Sequence, residues 1–468
     1  MYFADLIFIY IFLPVNICLY FISKNRNYRN VVLLAFSFFF YAWGEPIWIS
    51  LLIISAFADY IHGLIIERYR GGIGAKLAVA SSLIINLGLL CTFKYSSFIV
   101  STVNGILGTA FDVPGFALPV GISFYTFQTI SYTIDVYREE VEPQHDLIQF
   151  MLFVSLYHQL VAGPIVRYSE IGEKIAHRSE SWEEASAGIN RFIIGLFKKS
   201  VIANTAGKLA EPYLAAGNIS SLSTLGAWFG IVLYALQIYY DFSGYSDMAI
   251  GLGHIFGFTH PENFKYPYMA RSATEFWRRW HITLGGFFRD YLYIPLGGKR
   301  RHMVRNLIIT WFATGLWHGA SWNFVIWGLY YGLLIIFERL WFGKILKKIP
   351  RIFSHMYLIT VMLVGWVFFT FTDLGAAVEY IGKMFFIGCP VYDLNCLLDI
   401  AGCVVWLLLS IIFCMPFAPL FAVIWSTVRE RDRVKFAWVR PVFNIAILYV
   451  CTAMLVGQSY NPFLYFRF

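Results

Sequence analysis

The chain has 468 residues, of which 59% are hydrophobic and only 14% are charged, and its mean hydropathy is +0.63. Soluble domains rarely have such a composition, so it indicates a protein that crosses a membrane several times. The formal net charge of +8 does not indicate nucleic acid binding, because residues 265–305 hold nine Lys or Arg and two acids and so supply +7 of it. Such clustering beside apolar runs is typical of a cytoplasmic membrane surface that faces anionic lipid.

Apolar runs long enough to cross about 30 Å of hydrocarbon recur along nearly the whole chain, without strand-like alternation. Because backbone in lipid must then be helical, we expect an all-α fold with one integral membrane domain over residues 1–468. The first run, 6–22, lacks the basic start and cleavage site of a signal peptide and is predicted to be a retained span. Spans at 31–43, 47–66 and 77–93 follow, and the basic loops between them place the N-terminus outside.

The middle of the chain mixes apolar and polar character. Residues 95–111 are apolar but rich in Gly, Ser and Thr, so they could lie flat or re-enter the membrane. Residues 119–138 carry Gln128, Asp135 and several hydroxyls in an apolar context, which predicts a helix that lines a wet cavity. The Glu-rich residues 169–187 are expected to form an aqueous connector.

The second half of the chain is again mostly apolar. A helix over 189–203 and a pair of apolar helices over 225–258 are predicted before the basic segment. Further spans are expected at 306–318, 322–340, 356–371, 397–423 and 442–456, and the charge of residues 429–435 places that loop inside. The total is roughly ten to twelve crossings with one or two re-entrant or interfacial helices, and no internal repeat typical of many transporters is found.

The seven cysteines are odd in number, lie mostly in apolar runs and show no CxxC spacing. They are therefore interpreted as small core residues. Cys389 and Cys396 flank a polar loop, and they could pair if that loop is extracytoplasmic.

His318 follows an apolar helix of about 13 residues that starts at the basic surface near Arg305. At 1.5 Å per residue this helix is about 20 Å long, so His318 is predicted to lie within the membrane at a break beside Gly319. A buried imidazole needs a polar partner or a wet approach. Thr310 and Thr314 are predicted to share its helix face, and Ser321 and Asn323 follow within five residues.

His281 lies in the basic segment. On a single helix through residues 276–293, Trp277, Trp280, His281, Leu284 and Phe288 would share one face, while the arginines point elsewhere. This pattern is typical of an interfacial amphipathic helix with an inward-facing His281. Two inward-facing histidines 37 residues apart favour a shared site over two separate structural histidines.

Asp241 lies in a third polar cluster, Gln237 to Asp247, inside an apolar stretch. An ionised carboxylate at membrane depth costs several kcal/mol unless it is paired or wet. Asp241 could therefore pair with Arg278 or Arg279, orient an imidazole, or act directly in catalysis.

Several common catalytic motifs are missing from the sequence. It contains no Walker A sequence, no GxSxG and no HExxH, which leaves nucleotide hydrolysis, serine-hydrolase and zinc-protease readings without support. Gly251, Gly253 and Gly257 do not follow GxGxxG and instead suit close helix packing.

Motifs along most of the chain resemble the membrane-bound O-acyltransferase (MBOAT) family, in particular its branch that acts in alginate O-acetylation. The long FWRRWH and LWHGA motifs together are the most specific of them. The full set is FYAWGEP, PVGISFYTFQTISYTIDVYR, AGPIVRY, DFSGYSDMAIG, FWRRWHITLGGFFRDYLYIPLGG, TGLWHGASWNFVIWG and NPFLYFRF.

The resemblance implies a many-helix fold with a central funnel, in which the near-invariant histidine of the family corresponds to His318 and its second polar position to His281. It also implies acetyl transfer from acetyl-CoA towards a polysaccharide hydroxyl, in a bacterial cytoplasmic membrane and with a separate extracytoplasmic O-acetyltransferase as partner. Since a thioester is already activated, the chemistry demands neither a metal nor a bound cofactor.

The residues fit that chemistry in named roles. A neutral histidine can accept the proton of an attacking hydroxyl, so His318 is the candidate general base. His281 would position the thioester or stabilise the oxyanion, with Asn323 or a backbone N–H as an auxiliary donor and Trp317 supporting the site. Arg278 and Arg279 could attract the phosphates of coenzyme A, or simply hold the topology against anionic lipid.

Two alternatives stay open. Within the family, the reaction could be D-alanyl transfer to teichoic acid from an acyl carrier protein, or acylation of peptidoglycan. Outside it, the chain could be a transporter or flippase in which buried acids couple or bind the substrate; the candidates are Asp59, Asp135, Asp241 and Asp247.

Overall fold

The computed structural model describes residues 1–160, 163–417, 438–457 and 463–464. These residues form helices and loops, with no strand among them, so the predicted all-α class is confirmed. They group into two compact units. The first comprises Met1–Phe192 and Tyr245–Glu262, and the second Ile193–Gly244 and Asn263–Leu464. That residues 1–468 act as one domain stays a prediction.

The first unit is built from the N-terminal helices. Short π-helical segments adjoin some of these helices. One, Phe8–Phe12, precedes the first α-helix, and another, Cys91–Tyr95, follows the fourth. The α-helices of eight residues or more are Leu13–Ile22, Arg26–Gly44, Ile49–Arg68, Ile73–Leu90, Ser96–Leu107, Ile122–Tyr137, Leu147–Ser155 and Tyr168–Ala176, and Trp182–Phe197 runs on into the second unit.

The second unit holds the later helices. Two of them, Ala273–Trp277 and Ile282–Phe288, are short. The longer ones are Asn204–Leu214, Met303–His318, Trp322–Phe337, Arg351–Thr370, Leu374–Met384, Leu394–Phe413 and Val439–Val456, together with the first part of Thr224–Ile255.

Six described helices are long and apolar enough to cross a membrane, which makes the chain a multi-pass membrane protein. Of the apolar residues 95–111, those up to Leu107 continue one of these spans as a helix, and the helix ends before Gly108. The predicted loop 429–435 and part of the predicted span 397–423 lie outside the described residues. The six helices are Ile49–Arg68, Ile73–Leu107, Trp322–Leu346, Arg351–Thr370, Leu394–Phe413 and Val439–Val456.

The predicted pair of helices over 225–258 is wrong, because the structure has one helix of 32 residues, Thr224–Ile255. No proline interrupts this stretch, and an internal glycine costs a helix only about 1 kcal/mol. The glycines serve packing instead. A Cβ at Gly244 would lie 2.7 Å from the carbonyl oxygen of Gly195, and one at Gly251 would lie 2.6 Å from that of Gly188.

The predicted aqueous connector is packed more closely than expected. Its helix Tyr168–Ala176 buries Ile171 and Ile175. Beyond the helix, the Glu180 carboxylate lies 2.7 Å from Arg26 and 2.6 Å from Arg29. Burial alone would raise the pKa of Glu180, but hydrogen bonds and charge from Arg26, together with the charge of Arg29, lower that pKa to about 2. This carboxylate therefore ties the connector to the start of the helix Arg26–Gly44.

The helices Met303–His318 and Trp322–Phe337 pack against each other through glycine. A Cβ added to Gly328 would clash with the carbonyl oxygen of Trp311 and would lie 2.9 Å from the Cα of Gly315. Gly315 in turn approaches the backbone of Phe324. Because only glycine allows this separation of the two backbones, the contact holds the two helices close together.

Substituting Glu180 by Gln is expected to lower the free energy of unfolding by about 2 kcal/mol at pH 7, because charge-assisted hydrogen bonds to Arg26 and Arg29 are lost. The folded-state pKa lies below the ordinary value of 4.5, so the carboxylate stabilises the fold above that value and loses this effect as pH falls towards about 2. Thermal unfolding of the detergent-solubilised protein should thus show a difference between variant and wild type that shrinks below pH 4.5. Glu183→Gln, at an exposed position in the same region, is the control and should change nothing.

Gly328→Ala is expected to destabilise the protein by about 1–3 kcal/mol, because the added methyl group has no room between the two helices. The matched control is Gly402→Ala, since a Cβ at Gly402 meets no atom within 4 Å in a helix of the same unit. That control should be neutral or slightly stabilising by helix propensity. Equal stability of the two variants in a thermal shift assay would contradict the tight packing.

Candidate functional site

The predicted single helix through residues 276–293 is wrong. The structure has a helix Ala273–Trp277, a turn, and a second helix Ile282–Phe288 that begins after His281. His281 has φ 45° and ψ 55°, a left-handed conformation that interrupts a right-handed helix. The loop that contains Asn263 and Lys265 holds this turn through two backbone hydrogen bonds. Ile282 N–H donates to Asn263 O at 3.0 Å, and Lys265 N–H donates to Arg279 O at 2.9 Å.

The start of the helix Ala273–Trp277 is fixed by a buried carboxylate. Glu338 accepts the backbone N–H groups of Ala273 at 2.6 Å and Thr274 at 2.8 Å, and also the Thr274 hydroxyl at 2.6 Å. A negative charge at a helix N-terminus satisfies free N–H groups and is favoured by the helix dipole. Glu338 therefore anchors the segment that leads to His281.

His281 is buried, with 1% of its surface exposed, as the sequence predicts. Its Nδ1 lies 3.1 Å from Oδ1 of Asn263, which is itself fully buried. The rings of Phe242 and Trp317 pack edge-on against the imidazole at centroid distances of 4.7 Å and 5.8 Å. His281 lies outside the six candidate spans, and its burial lowers its pKa to about 3, so the imidazole is neutral near pH 7.

His318 is the last residue of the helix Met303–His318, which confirms the predicted helix end. It is 6% exposed and is surrounded by aromatic rings, with centroid distances of 4.7 Å to Trp327 and 5.4 Å to Phe369. Gly319 follows in an extended conformation, where a Cβ would clash with the Phe324 ring. The break therefore needs a glycine at this position.

The polar residues predicted around His318 have other hydrogen-bond partners. The Thr310 hydroxyl donates to Asn306 O at 2.7 Å and the Thr314 hydroxyl to Thr310 O at 2.8 Å, within their own helix. Asn323 donates one amide N–H to Phe368 O at 3.1 Å. The hydroxyl hydrogens of Thr310 and Thr314 are therefore used within their own helix.

The two histidines contact the same indole ring. The Trp317 ring centroid lies 5.8 Å from that of His281 and 5.0 Å from that of His318. All three belong to the second unit. The structure thus brings together two residues that are 37 positions apart, as the shared-site hypothesis requires, whereas their chemical roles stay predictions.

The predicted pairing of Asp241 with Arg278 or Arg279 is wrong. Asp241 is 3% exposed and lies 2.5 Å from the ammonium group of Lys199, which is also buried. Arg278 is exposed, and Arg279 pairs with Glu275 at 2.7 Å. The sequence could not indicate the true partner, because Lys199 lies 42 positions earlier in a separate helical segment.

The ion pair also holds part of the C-terminal motif. The backbone N–H of Leu464 donates to Asp241 at 2.6 Å, and the Lys199 ammonium lies 4.5 Å from the centre of the Phe463 ring. The remaining residues of NPFLYFRF lie outside the described part of the chain. The Asp241 carboxylate therefore has two structural partners, the Lys199 ammonium group and the Leu464 backbone N–H.

Sequence reasoning missed Asn263, Glu338 and Lys199, and it also missed a second pair of buried histidines in the first unit. There, Nε2 of His260 lies 2.7 Å from Nδ1 of His158. The sequence feature that could have indicated these residues is the same for all of them, namely a polar side chain inside or beside an apolar run. The cysteines are free, so Cys389 and Cys396 form no disulfide, and no three potential metal ligands group together among the described residues.

Comparison with known proteins places these residues in context. The family model of the membrane-bound O-acyltransferase family (MBOAT) matches residues 136–375, which include both histidines. The chain is 37% identical to a probable alginate O-acetylase of Pseudomonas putida over the full length of both chains. It is 41% identical to the corresponding protein of Pseudomonas aeruginosa over 83% of this chain and 75% of that relative. A peptidoglycan O-acetyltransferase of Helicobacter pylori is 35% identical, over 81% of this chain and 78% of that relative.

Asp241→Asn should destabilise the protein by roughly 3–5 kcal/mol, because it leaves the Lys199 ammonium buried without its counter-charge. The double variant Lys199→Met with Asp241→Asn removes both charges and keeps an oxygen for the Leu464 N–H. It should recover most of the loss in a thermal unfolding assay. A double variant as unstable as the single one would show that the charge pair is not the cause.

Proposed function

The chain belongs to the membrane-bound O-acyltransferase family and is an acyltransferase, and on that premise we propose that it moves an acetyl group from cytosolic acetyl-CoA across the membrane for O-acetylation of a cell-surface or exopolysaccharide. The acceptor is alginate or a similar polymer. Similarity over the full length of the probable alginate O-acetylase of Pseudomonas putida supports this choice.

The observation that carries the proposal is the pair of buried imidazoles that both contact the Trp317 ring. An acyl transfer from a thioester to a hydroxyl needs a base and a site from which water is excluded. Aromatic rings around His318 provide the second condition, because Trp327 and Phe369 cover the imidazole. His318 acts as the general base in this proposal.

The reaction balances without a metal. A lone pair of the acceptor oxygen forms a bond to the thioester carbonyl carbon while His318 takes the hydroxyl proton. The C–S bond then breaks, and the proton passes to the thiolate of coenzyme A. The products are an acetyl ester of the attacking hydroxyl and free coenzyme A, the base is restored, and a separate extracytoplasmic partner then completes delivery of the acetyl group to the polymer.

The remaining residues support the substrates. The Asn323 amide uses one N–H on Phe368 O, so its second N–H is the candidate donor to the oxyanion, with a backbone N–H as the alternative. Trp317 contacts both imidazoles and supports the site through its ring. Arg278, which is exposed, attracts the phosphates of coenzyme A, and Arg279 contributes charge from beside Glu275.

The protein is placed in the cytoplasmic membrane of a bacterium, where it meets acetyl-CoA on one side and delivers the acetyl group on the other. A separate extracytoplasmic O-acetyltransferase is the proposed partner that completes transfer to the polymer. Peptidoglycan is the second candidate acceptor, favoured by the similarity to the Helicobacter pylori enzyme. D-alanyl transfer from an acyl carrier protein to teichoic acid is the further alternative for the acyl group.

Removing the His318 imidazole by His318→Ala should lower acetyl transfer by roughly 10²- to 10⁴-fold, the usual contribution of a general base. The assay follows label from acetyl-CoA into the polymer fraction of permeabilised cells that lack the chromosomal copy and carry each variant. His177→Ala, at an exposed position outside the site, is the control and should keep wild-type activity. Membrane levels of each variant are measured in parallel.

Unchanged polymer acetylation by a normally inserted His318→Ala protein would refute the role of the base. Label that enters sealed vesicles without becoming covalently bound would instead favour a transporter. Mass analysis of polymer esters in the deletion strain identifies both the acyl group and the acceptor, and a loss of D-alanyl or peptidoglycan esters would replace the proposed substrate.

A further inference from the structure

Asn263 lies against one of the two imidazoles, but the acyl transfer described above gives its side chain no role. We infer that Asn263 is a positioning residue that holds His281 in the tautomer protonated at Nδ1 and so makes Nε2 the hydrogen-bond acceptor for a substrate O–H or N–H group. The functional part of this inference rests on the proposed acyl transfer. The assignment of the tautomer concerns only the protein without substrate and does not depend on that reaction.

The tautomer of His281 follows from the other hydrogen bonds that the Asn263 side chain makes. The side-chain atom that faces His281 also lies 3.3 Å from the backbone N of Thr283 and 3.0 Å from its hydroxyl. A backbone N–H can only donate, so the shared atom must be the amide oxygen, Oδ1, and not the NH₂ group. His281 Nδ1, at 3.1 Å from the same oxygen, therefore carries the hydrogen of that contact.

The assignment of Nδ1 determines the state of the other ring nitrogen. A neutral imidazole has one N–H, and here it is used on Asn263, which leaves Nε2 with a lone pair. Nε2 is buried and has no hydrogen-bond partner within the described part of the chain. An unmatched buried acceptor is unfavourable, and a bound substrate that donates a hydrogen bond would satisfy it.

The backbone fixes the direction in which Nε2 points. Asn263 O accepts the N–H of Ile282, so Asn263 holds His281 through its side chain and holds the following residue through its main chain. The left-handed conformation of His281 adds a third restraint. With Phe242 and Trp317 packed on the ring, rotation of the imidazole away from Asn263 would require several groups to move together.

The inference changes the expected role of His281. A neutral His281 with its hydrogen on Nδ1 cannot donate to an oxyanion from Nε2, so of the two roles that the sequence suggests only positioning of a substrate fits. Suitable donors are the amide N–H groups of the pantetheine arm of coenzyme A and the hydroxyls of a sugar acceptor. The common chemistry is a neutral hydrogen-bond donor, and kinetics can tell the two sources apart.

The kinetic test uses Asn263→Asp and Asn263→Leu in permeabilised cells supplied with labelled acetyl-CoA. Leu cannot accept the Nδ1 hydrogen, so transfer should fall roughly 10- to 100-fold. Asp still accepts it, but its charge favours the imidazolium, which has no lone pair on Nε2. Asn263→Asp should therefore retain most activity at pH 8 and lose it on acidification at a higher pH than the wild type, with the acid limb due to His281 raised by about 1–3 units. Phe242 and Trp317, the rings packed on His281, carry no charge, and the proposed base His318 beside Trp317 is present in both proteins, so the difference between the two profiles reports on His281.

Asn27→Asp, at an exposed position, is the matched control and should leave the pH profile unchanged. A rise in KM for acetyl-CoA in Asn263→Leu identifies the coenzyme A arm as the donor, and a fall in kcat at unchanged KM identifies the acceptor hydroxyl. If Asn263→Asp and Asn263→Leu lose activity equally at every pH, or if both retain it, the positioning role is wrong.

A spectroscopic test is independent of activity. In protein labelled with ¹⁵N-histidine, the signal of His281 is identified by its loss in His281→Asn. It should show a protonated Nδ1 and an unprotonated Nε2 in the wild type, and a mixture of tautomers in Asn263→Leu. The opposite tautomer in the wild type would overturn the inference. If the tautomer is as expected but no acetyl is transferred, the proposed function fails and the assignment of the tautomer stands.

Discussion

A polar side chain that leaves water for an apolar interior must find a hydrogen-bond or charge partner, because an unmatched buried group costs roughly 1–3 kcal/mol and an unpaired charge more. The second unit meets this constraint repeatedly. Glu338 binds the N-terminus of a short helix, Lys199 pairs with Asp241, and Asn263 accepts from His281. Each pair joins segments that are distant in sequence. The polar contacts therefore fix the positions of the segments that carry the candidate site.

Two interruptions of the helical backbone place the histidines. One is the left-handed turn at His281, and the other is the extended Gly319 that follows His318. At Gly319 a side chain would clash with the Phe324 ring, and around His281 backbone hydrogen bonds to Asn263 and Lys265 hold the turn. A residue beside such an interruption has an orientation that a regular helix does not offer, so both imidazoles can contact the indole of Trp317. This arrangement suits a reaction that needs two positioned groups in a dry environment.

Much of the helical framework could be predicted from composition and hydropathy. The end of the helix at His318 and the burial of His281 followed from local pattern and from the mixture of apolar and basic residues. The failures share a cause. The helix expected through residues 276–293 kept its apolar periodicity on both sides of His281, so periodicity could not reveal a turn that Asn263 and Lys265 stabilise from outside the segment. Two helices were expected over residues 225–258, whereas the structure has one continuous helix that packs closely against Gly195 at Gly244.

The sequence by itself determined that the chain is helical, crosses a membrane several times, and carries two histidine motifs of one enzyme family, because hydropathy and local motifs are properties of contiguous residues. Only the tertiary structure decided which partner each buried polar group takes. Asp241 pairs with Lys199 and not with an arginine of the basic segment, and His281 donates to an asparagine that no motif singled out. These pairings depend on which segments lie close together in the folded chain. For charged and hydrogen-bonding groups in an apolar interior, the neighbouring segment also determines the protonation state or tautomer.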